Sequence, residues 1–249
     1  MKGLASANIS AGKADEARAA VEARLARKPK DPALLLLAAK TFVATHDDAR
    51  AEATLREVLA LDPSNLPAHL QLARLQVRQR RLAEALKQYD VITGIDPKNI
   101  DVQLQAAMIL HTQGRKDEAA QRYAKILALE PNAAVASNNL ALMYADDGKN
   151  LDVALQMAQS AIRVEPNAPE YIDTLGWIYY KKGLEELAVP AFRSSSSKDP
   201  KNPVYHYHLG LAYLKQGERN QARSAFERAL GLKKNFDGAD DARKLLSTL

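Results

Sequence analysis

A histidine pair, three adjacent acid pairs and one arginine-rich run are the groups in this chain whose types and spacing could do chemistry. The pair His206 and His208, in "HYH", has the composition of a metal site. On a helix, however, residues two apart point in divergent directions. A shared metal is therefore disfavoured, and the pair reads as one histidine in packing and one facing a groove. The acids Asp146–Asp147, Glu185–Glu186 and Asp240–Asp241 fall at turns or helix starts. There they read as capping or dipole-matched charges rather than as a general acid and base. In "RLQVRQRRLAEALK", Arg74 and Arg78 share a helix face, while Arg80 and Arg81 sit at a turn. That run is either a solvated face or a local anion contact.

The remaining reactive chemistry is missing from the sequence itself. The chain has no Cys, which excludes disulfides, thiolate zinc sites and a cysteine nucleophile. It holds no P-loop, dinucleotide fingerprint, nucleophile elbow or zinc-protease helix motif. The net charge of +5 is mild, and basic residues are not interleaved with aromatics as a single-strand nucleic-acid groove requires. No apolar run approaches the roughly 18 residues of a membrane span. The expectation is a non-enzyme with no catalytic residue, no metal and no cofactor.

What positions these groups is a repeat. Pro29, Pro63, Pro97, Pro131, Pro166 and Pro200 follow one another at 34 or 35 residues. Twelve residues before each stands an alanine (Ala17, Ala51, Ala85, Ala119, Ala154 and Ala188), and Ala222 continues the series. A second small-residue column reads Ala39, Ala73, Ala107, Ala141, Gly176 and Gly210. A turn column reads Gly12, His46, Arg80, Gly114, Gly148, Gly183 and Gly217. Between proline and turn, apolar residues recur at helical spacing, as in Leu140, Ala141, Met143 and Tyr144. Each period therefore reads as a helix, a left-handed turn, and a second helix that the proline terminates. The small columns mark where paired helices approach most closely. One pair cannot bury its apolar face alone, so stacked neighbours must supply the core.

Several positions depart from the pattern. His46 and Arg80 replace the turn glycine, and Asn150 is an extra residue in "DDGKNLDVA". Pro190 is expected at the first turn of its helix or just beyond, where a missing N–H is tolerated. In "RSSSSKDP", Ser195 and Ser196 occupy apolar columns; the phase of Phe192 and Pro200 predicts a helix end rather than a linker. Their hydroxyls are expected to bond back to the preceding turn, and this helix to be the weakest.

The pattern in "HYHLGLAYLKQGERNQARSAFERAL" and "LQAAMILHTQGRKDEAAQRYAKILALEP" resembles the tetratricopeptide repeat over nearly the whole chain. The resemblance implies an all-α fold, a right-handed α-solenoid superhelix of about seven helix-turn-helix units. The units are expected near 1–31, 32–65, 66–99, 100–133, 134–168, 169–202 and 203–236, with a capping helix over 237–249, as a single array. Phrases such as "NNLALMYADDGKNLDVALQMAQSAIRVEPNAPEYIDTLGWIYYKKG" are also similar to bacterial tandem-repeat proteins of the exported or exopolysaccharide-associated kind. That similarity implies a periplasmic or envelope setting if a signal precedes the chain, and a cytoplasmic one otherwise.

The resemblance also implies a non-catalytic scaffold that binds a peptide or protein in a concave groove lined by the first helices, as a fragment of a larger bacterial protein. The alternative is a docking or regulatory domain of a larger enzyme, secretion or polysaccharide-export machine. A nucleic-acid superhelix ranks behind both. Self-association is expected to be weak or absent. The residues expected to face the groove include Asn138, Asn139, Asp173, Trp177, Tyr180, Lys181, Tyr207 and His208, with Arg74 and Arg78 on the N-terminal wall. The carboxylate-clamp pattern of some family members is not matched: Asn139 lacks its expected partners, since Leu104, Met108, Glu170 and Thr174 stand there. Trp177, the only tryptophan, flanks the small-residue column and is expected on the wall, either packed against Tyr207 or His208 or open to a partner.

Overall fold

Each period becomes two helices, and the turn residue between them decides where the first one stops. The computed structural model describes residues 14–249. Gly12 and Ile9, with the helix expected to contain them, lie outside the described residues. Among the described residues are fourteen α-helices and no strand. In chain order they are α1 (Ala14–Leu25), α2 (Pro32–Ala44), α3 (Asp48–Leu61), α4 (Leu66–Arg78), α5 (Leu82–Ile95), α6 (Ile100–Thr112), α7 (Lys116–Leu129), α8 (Ala134–Asp146), α9 (Leu151–Val164), α10 (Pro169–Lys181), α11 (Glu185–Lys198), α12 (Pro203–Lys215), α13 (Arg219–Leu232) and α14 (Ala239–Thr248). The even-numbered helices from α2 to α12 are the first helices of their periods. The fold is of the all-α helical-repeat class.

The turn column works as a stop because its residues are left-handed. Gly114, Gly148, Gly183 and Gly217 all have positive φ, and His46 (φ 57°) and Arg80 (φ 62°) adopt the same conformation without being glycine. The reversal lets the following residue reach back: Asp47 N donates to Phe42 O at 2.8 Å and Arg115 N to Leu110 O at 2.9 Å. Those bonds satisfy carbonyls that a helix end would leave open. At His46 and Arg80 the β-carbon opposes this geometry by about 1 kcal/mol each. The extra residue, Asn150, is also left-handed (φ 52°) and precedes α9, so the insertion is absorbed in the turn. Several first helices are capped by a side chain, as where Asp31 accepts from Ala33 N and Leu34 N.

Close approach sets the small columns. Ala17, Ala51, Ala85, Ala119, Ala154, Ala188 and Ala222 are completely buried, as are Ala39, Ala73, Ala107 and Ala141. A β-carbon at Gly176 would lie 2.8 Å from the Phe192 ring, and one at Gly210 would lie 2.5 Å from Phe226. The glycines thus replace alanine where a phenylalanine of the second helix fills the space.

A polar tie, silent in the sequence, closes the connections. Six residues after the turn proline, His69 Nε2 donates to Pro63 O (2.9 Å), Gln103 Nε2 to Pro97 O (2.5 Å) and His206 Nε2 to Pro200 O (3.1 Å). His206 therefore fastens a turn, and the two histidines of "HYH" do different jobs.

The chain divides into two compact units, the first ending at Arg115 and the second beginning at Lys116. In the first, Leu35, Ala39, Leu55, Val58, Ala68 and Leu72 form one core cluster, and Phe42 anchors another with Val21, Ala38, Ala51 and Leu75. Arg50 lies 4.2 Å over the Phe42 ring. Ion pairs join successive periods: Arg18–Asp47 at 3.0 Å, Arg50–Glu22 at 2.6 Å, Arg78–Asp48, and Arg81 with Glu52. The Arg81 hydrogen bond holds the Glu52 carboxyl below its usual range. Pairs this exposed add at most about 1 kcal/mol each. Their consequence is chemical, because they engage two of the four arginines of the arginine-rich run.

In the second unit, Phe192 and Phe226 centre clusters with Ala188, Ala212, Ala222 and Ala242. Helix α14 covers the last pair, burying Ala239 and Ala242. Helix α11 continues through the serine run to Lys198, as the phase of Phe192 predicts. Ser195 Oγ donates to Phe192 O (3.0 Å), Ser196 Oγ to Arg193 O (3.1 Å) and Ser197 Oγ to Arg193 O (2.7 Å). Pro190 falls just beyond the first turn, as expected, but not where its missing N–H costs nothing. It is the sixth residue of α11, in the second turn, beyond the four positions whose N–H groups are open anyway. Its missing N–H leaves the Glu186 carbonyl without a helical partner.

Candidate partner-binding site

The site is built from three first helices of the second unit, α8, α10 and α12, which stand side by side. One column supplies its centre. Trp177, on α10, is half-buried. Its indole stacks on His208 of α12 with centroids 4.7 Å apart and planes 22° apart. It also stacks on Tyr180 of its own helix at 5.3 Å. The indole Nε1 donates to Asp146 Oδ1 of α8 at 2.8 Å. Lys181 Nζ rests 4.9 Å over the indole, and Lys215 Nζ rests 4.8 Å over the Tyr180 ring. One tryptophan thereby joins three successive periods.

Beneath that layer lies a polar seam. Asp173 is buried and accepts from His208 Nδ1 at 2.8 Å. Ser195 Oγ stands 3.5 Å from the other carboxylate oxygen. The bond at Nδ1 fixes the imidazole plane against Trp177 and leaves Nε2 as the ring's remaining polar atom. This order differs from that of a hydrolytic triad. The carboxylate stands between the hydroxyl and the imidazole, and Ser195, fully buried, donates to Phe192 O. No activated nucleophile faces His208. The arrangement can stack, donate and accept; it is not set up to transfer an acyl group.

The structure separates the expected wall residues. Trp177, Tyr180, Lys181, His208 and Asp173 come together. Tyr207 is 9% exposed, beneath α14: its hydroxyl donates to Asp241 Oδ2 at 2.7 Å, and the Phe236 ring meets it edge-on at 6.0 Å. Burial, first of all, and the Asp241 carboxylate raise the Tyr207 phenol strongly. Asn138 is 5% exposed, because α8 is buried on nearly all sides, and its Oδ1 has no hydrogen-bond partner. Asn139 is half-buried, and its Nδ2 donates to Tyr123 OH at 3.1 Å. Arg78 is paired with Asp48, whereas Arg74 is exposed in the first unit.

The acid pairs turned out to be cross-period acceptors as well as helix-end charges. Asp146 takes the Trp177 indole, Asp147 pairs with Lys116 at 3.1 Å, Glu185 with Lys215 at 2.6 Å, and Asp241 takes Tyr207. The Lys215 hydrogen bond holds Glu185 below the usual carboxylate range. A spacing near one period between donor and acceptor was the available sequence signal. Among the described residues no group of three or more His, Cys, Asp or Glu could hold a metal ion, and no helix is long and apolar enough to cross a membrane.

A stack of antiparallel helix pairs, closed by left-handed turns and presenting a row of first helices, defines the class of helical-repeat proteins. Comparison with known families narrows the class. One family model described as the tetratricopeptide repeat matches residues 2–65 and 104–172, together more than half the chain. Two further models of the same description match 42–108 and 203–236. The chain belongs to the tetratricopeptide repeat family. Among solved structures it is similar to a tetratricopeptide repeat protein from Parabacteroides merdae, with 17% identity, 98% of this chain and 96% of that one covered, and a TM-score of 0.70. It is also similar to MamA from Desulfovibrio magneticus RS-1 (20% identity, 70% and 96% covered, TM-score 0.60). A third is YrrB, described as a tetratricopeptide repeat protein with an unusual peptide-binding site (18% identity, 76% and 97% covered, TM-score 0.57). At these identities the likeness is one of fold. Comparison with curated sequences gave no match.

Proposed function

We propose that this protein is a non-catalytic interaction scaffold that holds a peptide or an extended segment of a partner protein against the α8–α10–α12 wall. The observation that carries this reading is the Trp177 stack. The indole packs at the edge of the core and is held by His208, Tyr180 and Lys181 while part of its surface stays open. Rigid aromatic area that loses little entropy on contact is what concentrates energy in an interface. Around it, Lys181 and His208 Nε2 offer polar atoms for orientation, and Asn139 and Lys215 extend the wall on either side. Family membership supports the reading, and so does the peptide-binding site named for YrrB.

The test is a display selection of random peptides against the whole chain, followed by titration of the enriched sequences. Peptides bound at this wall lose about tenfold or more in affinity for W177A, the usual size of a hot-spot loss. They bind unchanged to L187E, which alters an exposed leucine of α11 away from the wall. Enriched peptides that bind W177A as well as the native chain overturn the proposal.

A further inference from the structure

A cavity in the first unit borders the column position that Trp177 occupies in the second. There, 103 residues earlier, stands Arg74. Its neighbours in the arginine-rich run are engaged: Arg78 with Asp48, and Arg81 with Glu52 and Glu84. Arg74 makes no ion pair among the described residues. It borders a cavity of about 460 Å³ between α4, α5 and α6, together with Leu70, Val77, Tyr89, Leu104 and Gln105.

The repeat supplies an internal control. Tyr123 stands one period after Tyr89, and Asn139 one period after Gln105. In the later period Asn139 Nδ2 donates to the Tyr123 hydroxyl at 3.1 Å. In the earlier one the corresponding bond is missing: Tyr89 is 2% exposed as a residue, but its hydroxyl is not among the fully buried unpartnered atoms and opens at the cavity wall. A hydroxyl that opens on a cavity wall and makes no bond within the protein is free to exchange water for a ligand acceptor. Burial raises the Tyr89 phenol, and the nearby Arg74 charge opposes that rise, which places the guanidinium and the hydroxyl in one electrostatic environment.

We infer that this cavity receives the side-chain carboxylate of a glutamate in an extended peptide segment, with Arg74, the Tyr89 hydroxyl and the Gln105 amide as donors. Leu70, Val77 and Leu104 suit the methylene stem and its flanking apolar residues. Guanidinium and phenol together match a carboxylate's two oxygens. Asp101 also lines the cavity. Its carboxylate can accept main-chain N–H groups of a segment passing through, which a chain terminus offers on one side only. This site is independent of the Trp177 wall.

The experiment is an NMR titration of the whole chain, with its tyrosine rings labelled and the Tyr89 signal assigned through Y89F. The probes are acetyl-Ala-Leu-Glu-Leu-Ala-amide, the same peptide with Gln for Glu, and the Gln peptide with a free C-terminal carboxylate. The Glu peptide shifts the Tyr89 ring and the α4 and α6 amides saturably. Binding is about tenfold weaker for the Gln peptide and for R74Q, the size expected of a charge-assisted bond. It is about threefold weaker for Y89F, which removes an unpaired hydroxyl and so folds normally. W177A leaves the titration unchanged, so failure here and failure of the Trp177 wall are separable. The inference is overturned by the absence of saturable shifts, by equal binding of the Glu and Gln peptides, by R74Q binding as the native chain does, or by preference for the free terminus.

Discussion

Trp177 and His208 stack face to face at 4.7 Å across two successive first helices, and Asp173 holds the imidazole in place from below. The contact is structural and accessible at once. It stiffens the junction between two periods while leaving one edge of the indole open. Of the two alternatives posed by the sequence, the packing on His208 is what the structure shows; partner contact is the proposal.

Removing His208 should expose more of that indole. Because Trp177 is the only tryptophan, its emission reports the change directly. H208A is expected to shift the emission to longer wavelength, to raise quenching by iodide, and to lower stability by about 2–4 kcal/mol, since it removes the aromatic contact and also leaves the buried Asp173 carboxylate without its partner. An unchanged spectrum would mean that the stack does not persist in solution.

The same substitution should have opposite signs at two glycines. At Gly210 an added methyl meets the Phe226 ring, so G210A is expected to destabilise by about 1–3 kcal/mol. Gly231, in α13, has open space around it, so G231A should stabilise by about 0.5–1 kcal/mol through helix propensity. Urea midpoints of the two variants check both signs.

Helix α11 combines an interior proline with a buried serine pair, so its amides should exchange fastest among the helices of the second unit. P190A restores the N–H that the Glu186 carbonyl lacks, at an exposed position. Stability should rise by about 1–3 kcal/mol, with slower hydrogen exchange confined to α11. Exchange as slow as in α13 before substitution would contradict this account of the serine run.

His46 and Arg80 are exposed and left-handed. H46G and R80G should each stabilise by up to about 1 kcal/mol, the relief of β-carbon strain less the greater freedom of glycine when unfolded. Their thermal midpoints should rise together and additively, since each turn serves a different period.

The tyrosines predict an alkaline limit. Burial raises Tyr89, Tyr123, Tyr171, Tyr180, Tyr205 and Tyr207, with Tyr205 pushed up to about 12. A folded-state value above the unfolded value of 10.0 gives stability that is complete below pH 10 and is lost as pH rises toward the folded value. Each such phenol contributes at most about 1.4 kcal/mol per pH unit, less where water screens the ring. Urea denaturation at pH 9.5 and 11.5 should differ by more than about 2 kcal/mol. A flat profile would show that the rings are solvated.

The repeat architecture was legible because it rests on short-range constraints repeated many times. Alanine at closest approach, a left-handed turn and a proline after the second helix each leave a column. Even the exceptions obey this logic, as Asn150 shows by taking the same left-handed geometry as the glycines. The wall was legible only in part. Trp177, Tyr180, Lys181 and His208 follow from their phase on the first helices. Tyr207 and Asn138 share that phase but are covered by α14 and by the close-packed surroundings of α8, which no local pattern records. The Asp146–Trp177 bond and the open Tyr89 hydroxyl were invisible for a related reason. Each depends on which rotamer reaches across a period, and residue type alone does not settle that.

Site-specific photo-crosslinking in the native organism tests the central claim most directly. Photoreactive residues are placed at Lys181 and Lys215 on the wall and, as controls, at Val153 and Leu187, exposed on second helices. The scaffold reading predicts one discrete partner crosslinked from Lys181 and Lys215, lost when W177A is added, with the control positions silent. Crosslinks to that partner from Val153 and Leu187 alone, or from Lys181 undiminished by W177A, would contradict it.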